Sequence, residues 1–180
     1  MSVHFNSGFQ SAVLLHALSS LSMAADPGPL HKVDATPPGH APQFTLTDQN
    51  AVTHRFTYPR KKASVLVLSD HQGSSQIAGW IAPLFARYGT KIDIAGIADL
   101  PGIPSMFHAL FRREFKKKLA YPVMLDWSGD VARAFSYRPK NAHLLVIGRD
   151  GKIHFSAVGP AQAAKLAAAI DAIDSLASPP

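Results

Sequence analysis

No cysteine occurs among the 180 residues. That absence excludes a disulfide framework and a thiolate metal site. It also excludes any reaction whose nucleophile is a thiolate of the chain itself. Charge is scarce as well, with 17% of residues Asp, Glu, Lys or Arg. Hydrophobic residues reach 47%, which supplies a core and excludes a disordered polar chain. No apolar run approaches the roughly 20 residues of a membrane-spanning helix. What charge there is leans one way, to +6. Such a balance suits an acidic protein partner or an anionic membrane surface. It does not point to nucleic acid, because no basic patch interleaved with stacking aromatics and no recognition signature appears.

The N-terminus bears on the compartment. Ala12 to Met23 (AVLLHALSSLSM) is mostly apolar, and the small residues Ala24 and Ala25 follow. This pattern fits the apolar core and cleavage site of a secretory signal peptide over residues 1–25. The fit is partial: Met1 to Gln10 holds no Lys or Arg, and His16 interrupts the run. The expected location is the periplasm or the exterior, otherwise the cytoplasm. Asp26 to Pro42 (DPGPLHKVDATPPGHAP) is rich in Pro, Gly and His and reads as a flexible linker over residues 26–42.

From residue 43 the pattern is that of one ordinary α/β domain ending at 177. Phe44–Leu46 and His54–Tyr58 alternate apolar and polar around the turn Asp48-Gln49-Asn50, predicting a hairpin. Ser64 to Leu68 (SVLVL) is a strand buried on both faces. Ile77, Ile81, Leu84, Phe85 and Tyr88 recur at helical spacing, with Pro83 inside and Gly89 as the stop. Ile92 to Ile97 is a second core strand. Ser105 is a candidate N-cap for a helix whose apolar face is Met106, Phe107, Leu110 and Phe111. That helix ends in Arg112, Arg113, Lys116, Lys117 and Lys118, cations that complement its dipole. Val123–Leu125 is a short strand, and Gly129–Tyr137 a short helix turning Val131, Ala134 and Phe135 inward. Leu144–Ile147 and Ile153–Val158 flank Asp150-Gly151, a pair suited to a tight primed turn. Pro160 opens a last helix with a Leu166, Ile170, Ile173 stripe.

The ordered set FTLTD…HRFTYP, SVLVL, YPVMLDWSGDVARAF and HLLVIGRDGKI resembles the thioredoxin superfamily in its peroxiredoxin and disulfide-reductase branch. Within it, the set is similar to the YtfJ-type family of exported, cysteine-poor proteins. The resemblance implies an α/β, thioredoxin-like three-layer sandwich with a mixed central sheet and an N-terminal hairpin. The implied activity is that of a redoxin-type oxidoreductase or antioxidant. The redox cysteines of such proteins would fall near Ser74 and Ile77, where the loop holds Ser74 and Ser75. A serine hydroxyl cannot replace a thiolate without an activating base. The family's cis-proline, or the arginine of peroxiredoxins, would fall near Ala142; neither is there, and Pro139 lies three residues earlier.

Three groups of residues are candidates. The loop Asp70, His71, Gln72, Gly73, Ser74 and Ser75 joins a core strand to a helix, where open α/β sheets bind ligands and free N–H groups favour anions. The same loop also reads as a capped helix start, with Ser74 or Ser75 as the cap. His71 and His143 are expected near one another beside that loop, with Asp70 and Asp99 able to join them. They would form a metal site or let His71 activate Ser74; chance proximity among nine His is the alternative. Arg112, Arg113, Lys116, Lys117 and Lys118, with Arg60, Lys61 and Lys62, form a candidate contact surface beside Phe111 and Phe115, or only a solvated helix end. The reading is a non-catalytic thioredoxin-like protein that binds or scaffolds a partner, without cofactor, metal or assigned catalytic residue. A redoxin-type oxidoreductase and a metal- or anion-binding module are the alternatives.

Overall fold

The structure, a computed structural model, describes residues 39–177. The expected leader and most of the linker lie outside the described residues. Seven strands form one mixed sheet in the order β2-β1-β5-β4-β3-β6-β7. The strands are β1 (Phe44–Asp48), β2 (Thr53–Phe56), β3 (Ser64–Ser69), β4 (Asp93–Asp99), β5 (Val123–Asp126), β6 (His143–Ile147) and β7 (Ile153–Val158). The helices are α1 (Ile77–Tyr88), α2 (His108–Lys118), α3 (Asp130–Ala134) and α4 (Ala163–Ala177). β3, β4 and β5 run parallel, and β1, β2, β6 and β7 pair antiparallel at the flanks.

The continuous apolar run of β3 has its physical reason in this layering. Val65 and Val67 face a core built with Trp80, Leu84 and Tyr88 of α1 and Ala169 and Ile173 of α4. Leu66 and Leu68 face the other core, with Phe44, Phe56, Val131, Ala132 and Phe135. Every β3 residue is buried. The Trp80 indole N–H donates to the Gly159 carbonyl at 2.9 Å, so the large ring enters the core without an orphaned donor.

Several local expectations are corrected. The last residues of the expected linker pack on the domain: Ala41 is buried, and its N–H donates to Gly151 O at 2.8 Å. The β4 strand continues past Ile97 to Asp99 because its register with β3 persists to Ser69–Ala98. On α3 it is Ala132, not Ala134, that turns inward. α4 begins at Ala163, three residues after Pro160, and its fully buried members are Ala169 and Ile173. The β6–β7 turn is not primed, since Asp150 has no positive φ. Gly151 at φ +90° takes the left-handed position and the strand pair carries a bulge. Its tight packing on the Tyr58 ring leaves no space for a side chain there. Ser105 caps nothing; Pro104 precedes that turn.

Candidate functional site

Register places three carboxylates along one edge of the sheet. Ser69 pairs with Ala98 and Asp99 with Asp126, so β3, β4 and β5 each run out into an aspartate: Asp70, Asp99 and Asp126. Asp126 is fully buried. Its carboxylate accepts from the Ala132 N–H at 2.9 Å and the Ser128 hydroxyl at 3.3 Å, which caps α3. Burial nonetheless pushes its pKa above the usual carboxylate value. Asp99 is pushed up to about 6, first by desolvation and then by the Asp126 and Asp70 charges, with Arg133 opposing. Its Oδ1 is buried without a hydrogen-bond partner.

Asp70 ties two loops together. Its Oδ1 accepts from the Gly73 N–H and its Oδ2 from the Lys140 N–H, both at 2.7 Å. Its own N–H donates to the Tyr137 hydroxyl at 2.7 Å, and that hydroxyl donates to Asn141 O at 2.9 Å. Gly73 lies against this second loop so closely that a Cβ there would stand 2.2 Å from Asn141 O. Gln76 completes the closure. Its Oε1 accepts from the Ala142 N–H at 3.0 Å and its Nε2 donates to Lys140 O at 3.3 Å. One carboxamide therefore occupies a carbonyl and an N–H of the turn that enters β6, the acceptor and the donor that a peptide unit would also fit.

Of the residues singled out in the sequence, Asp70, Gly73 and Ala142 meet here. The Ser74 hydroxyl donates to the His71 carbonyl, not to a ring nitrogen, at 2.7 Å, and it does not cap the turn that follows. Ser75 and His71 are exposed. Asp70, rather than a serine, satisfies the loop's N–H group. His143 is buried, and its Nε2 lies 2.8 Å from the Ser156 hydroxyl, with Nδ1 unpartnered. Burial and the nearby Arg138 charge hold its pKa below the ordinary imidazole value. Among the described residues no group of three or more His, Asp or Glu side chains is placed to hold a metal ion, so the alternative of a His71–His143–carboxylate site does not assemble. Sequence reasoning missed Gln76, Tyr137 and Asn141, and left Asp126 without a role. The available signal was that VLVLSD, AGIAD and VMLD all end a core strand in aspartate.

The basic cluster divides. The Arg112 guanidinium sits 6.0 Å from the Trp127 ring centre, and that ring stacks on His108 at 3.8 Å and meets Phe111 edge-on at 6.4 Å. Arg113, Lys116, Lys117 and Lys118 are exposed. Phe111 and Phe115 are half-buried, while Met106 and Leu110, expected to face the core, are 79% and 45% exposed. α2 buries no residue. Arg60 and Lys62 are engaged elsewhere, on Asp93 at 3.1 Å and Thr90 O at 2.6 Å.

No family model and no curated protein matches this sequence. Solved structures do. A putative protein disulfide isomerase from Bacteroides thetaiotaomicron is similar at 15% identity and TM-score 0.58, over 81% of this chain and 92% of that one. The exposed lipoprotein thioredoxin of Streptococcus pneumoniae shares 19% identity at TM-score 0.55, over 74% of this chain and 99% of its own. A peroxidoxin from Mycobacterium tuberculosis shares 20% identity at TM-score 0.50, over 83% and 97%. Sheet order, layering and these neighbours agree that the chain has the thioredoxin-like fold.

Proposed function

We propose that this domain is a thiol-free variant of the redoxin architecture that binds an extended segment of a partner polypeptide at the loop pair 70–76 and 137–142. The observation that carries the reading is the Gln76 carboxamide on Lys140 O and the Ala142 N–H. A peptide unit has the same donor and acceptor, so the backbone of a bound peptide takes the place of Gln76 on these two groups. The likeness of the ordered motifs to YtfJ-type exported proteins supports the same reading, and so does the apolar leader followed by Ala24 and Ala25 for an exported chain. The test is selection from a displayed peptide library on the wild-type domain and on Gln76→Ala. Peptides bind Gln76→Ala severalfold more tightly and shift the Ala142 amide resonance. A folded Gln76→Ala domain that selects nothing overturns the reading. Intact mass of protein from its native host tests export; a retained N-terminus in soluble cytosol overturns it.

The second reading is a redoxin-type oxidoreductase. Its support is the neighbours, which are named for disulfide, thioredoxin and peroxide chemistry and none for scaffolding. Those likenesses are all at low identity, and the chain has no cysteine to carry the chemistry. Insulin reduction and hydroperoxide consumption separate the two readings. Turnover above a protein-free blank supports the oxidoreductase and removes the non-catalytic one.

A further inference from the structure

Met106, Leu110, Arg113 and Lys117 follow i, i+4, i+7, i+11 spacing and therefore share one face of α2 and the turn before it. All four are exposed. The helix dipole accounts for cations in the last turn. It does not account for Met106 at 79% and Leu110 at 45% exposure on the same stripe. The half-buried positions Phe107, Phe111 and Phe115, four residues apart, show that the other face already meets the domain, so the exposed stripe is a surface and not a displaced core.

We infer that α2 docks the domain on an anionic lipid bilayer. Met106 and Leu110 enter the interfacial zone, and Arg113 and Lys116–Lys118 meet headgroup phosphates. Two observations favour lipid over an acidic protein. Lys116, Lys117 and Lys118 are consecutive, and helical residues step by about 100°, so their ammonium groups fan around most of the helix end. A rigid protein face covers one side of a helix, whereas a fluid headgroup layer reaches all three. The leading apolar side chains are long and unbranched or γ-branched and stand on a convex helix, which suits insertion among acyl chains. Among the described residues, only Lys117 of the three has a carboxylate partner, Glu114 at 3.3 Å, in an exposed pair that contributes little. This inference is independent of peptide binding at Gln76.

The test is co-sedimentation of the full chain with vesicles of pure phosphatidylcholine and of equal parts phosphatidylcholine and phosphatidylglycerol. Wild type binds the mixed vesicles and not the pure ones, and added salt weakens binding. Neutralising Lys116→Gln, Lys117→Gln and Lys118→Gln together lowers affinity on the order of a hundredfold, at the strength per cation typical of anionic surfaces. The double variant Met106→Ser and Leu110→Ser binds severalfold more weakly with salt sensitivity unchanged. Both variants change exposed positions, and circular dichroism confirms their folding. Binding that is equal on both vesicle types, or that persists in the triple variant, overturns the inference; the second result assigns adsorption to another segment. Capture of poly-glutamate by wild type in preference to vesicles also overturns it and makes the surface a protein contact.

Discussion

The carbonyl oxygen of Asn141 stands 2.2 Å from the point a Cβ on Gly73 would occupy. Backbone of one loop thus fills the space that any side chain on the other would need. The contact brings the start of the α1 region against the segment entering β6, where Asp70 and Gln76 then lock both in place.

Gly73→Ala is therefore expected to destabilise the domain by about 2 kcal/mol, since backbone rather than a flexible side chain must yield. Urea unfolding measures the loss. An unchanged midpoint would show that the 137–142 loop retreats without cost.

Asp70→Ala removes the acceptor of the Gly73 and Lys140 N–H groups. The expected cost is about 2–3 kcal/mol, because both bonds are charge-assisted and both donors lose their partner. Asp70→Asn keeps one oxygen and should lose roughly half as much. Hydrogen exchange at Gly73 and Lys140 is expected to quicken in both, with Lys140 the more affected if the asparagine keeps its bond to Gly73.

Asp99→Asn is expected to stabilise the protein at neutral pH. The carboxyl is held at about 6 in the fold against 3.8 ordinarily. A raised pKa means its contribution is fully present below about pH 4 and is lost as pH rises through about 6. Removing the charge should then yield about 1 kcal/mol at neutral pH, less than the full shift implies because solvent reaches the group. The gain should vanish below pH 4. A destabilised variant at pH 7 would mean that the ionised carboxylate has a partner worth more than its desolvation.

His143 acts in the opposite sense. Its pKa is lowered from 6.5 by burial and by Arg138. The neutral ring is the stable form, so this contribution is present above about pH 6.5 and is lost as pH falls toward the depressed value. Unfolding midpoints should fall over that range in wild type and flatten in His143→Leu, once its own constant offset is subtracted. An NMR titration of the ring gives the second measurement; an upward-shifted midpoint would contradict the direction.

The order of elements was legible in the sequence because strand and helix periods are local. SVLVL announces a doubly buried strand, and Gly89, at φ +53°, ends α1 as its position suggests. The absence of cysteine alone set the chemical limit. The α2 stripe was misread because Met106, Phe107, Leu110 and Phe111 have helical spacing whichever face meets the core. Only packing on Trp127 decides that Phe111 turns in and Leu110 turns out. The metal-site alternative does not assemble for the same kind of reason: His71 and His143 flank the same region, but side-chain direction sends one to solvent and the other to Ser156. The closure of the loops by Asp70 and Gln76 joins residues more than sixty positions apart. No periodicity encodes such a pairing. It exists because parallel strand register aligns the strand ends, and the sheet then brings the segment entering β6 beside them.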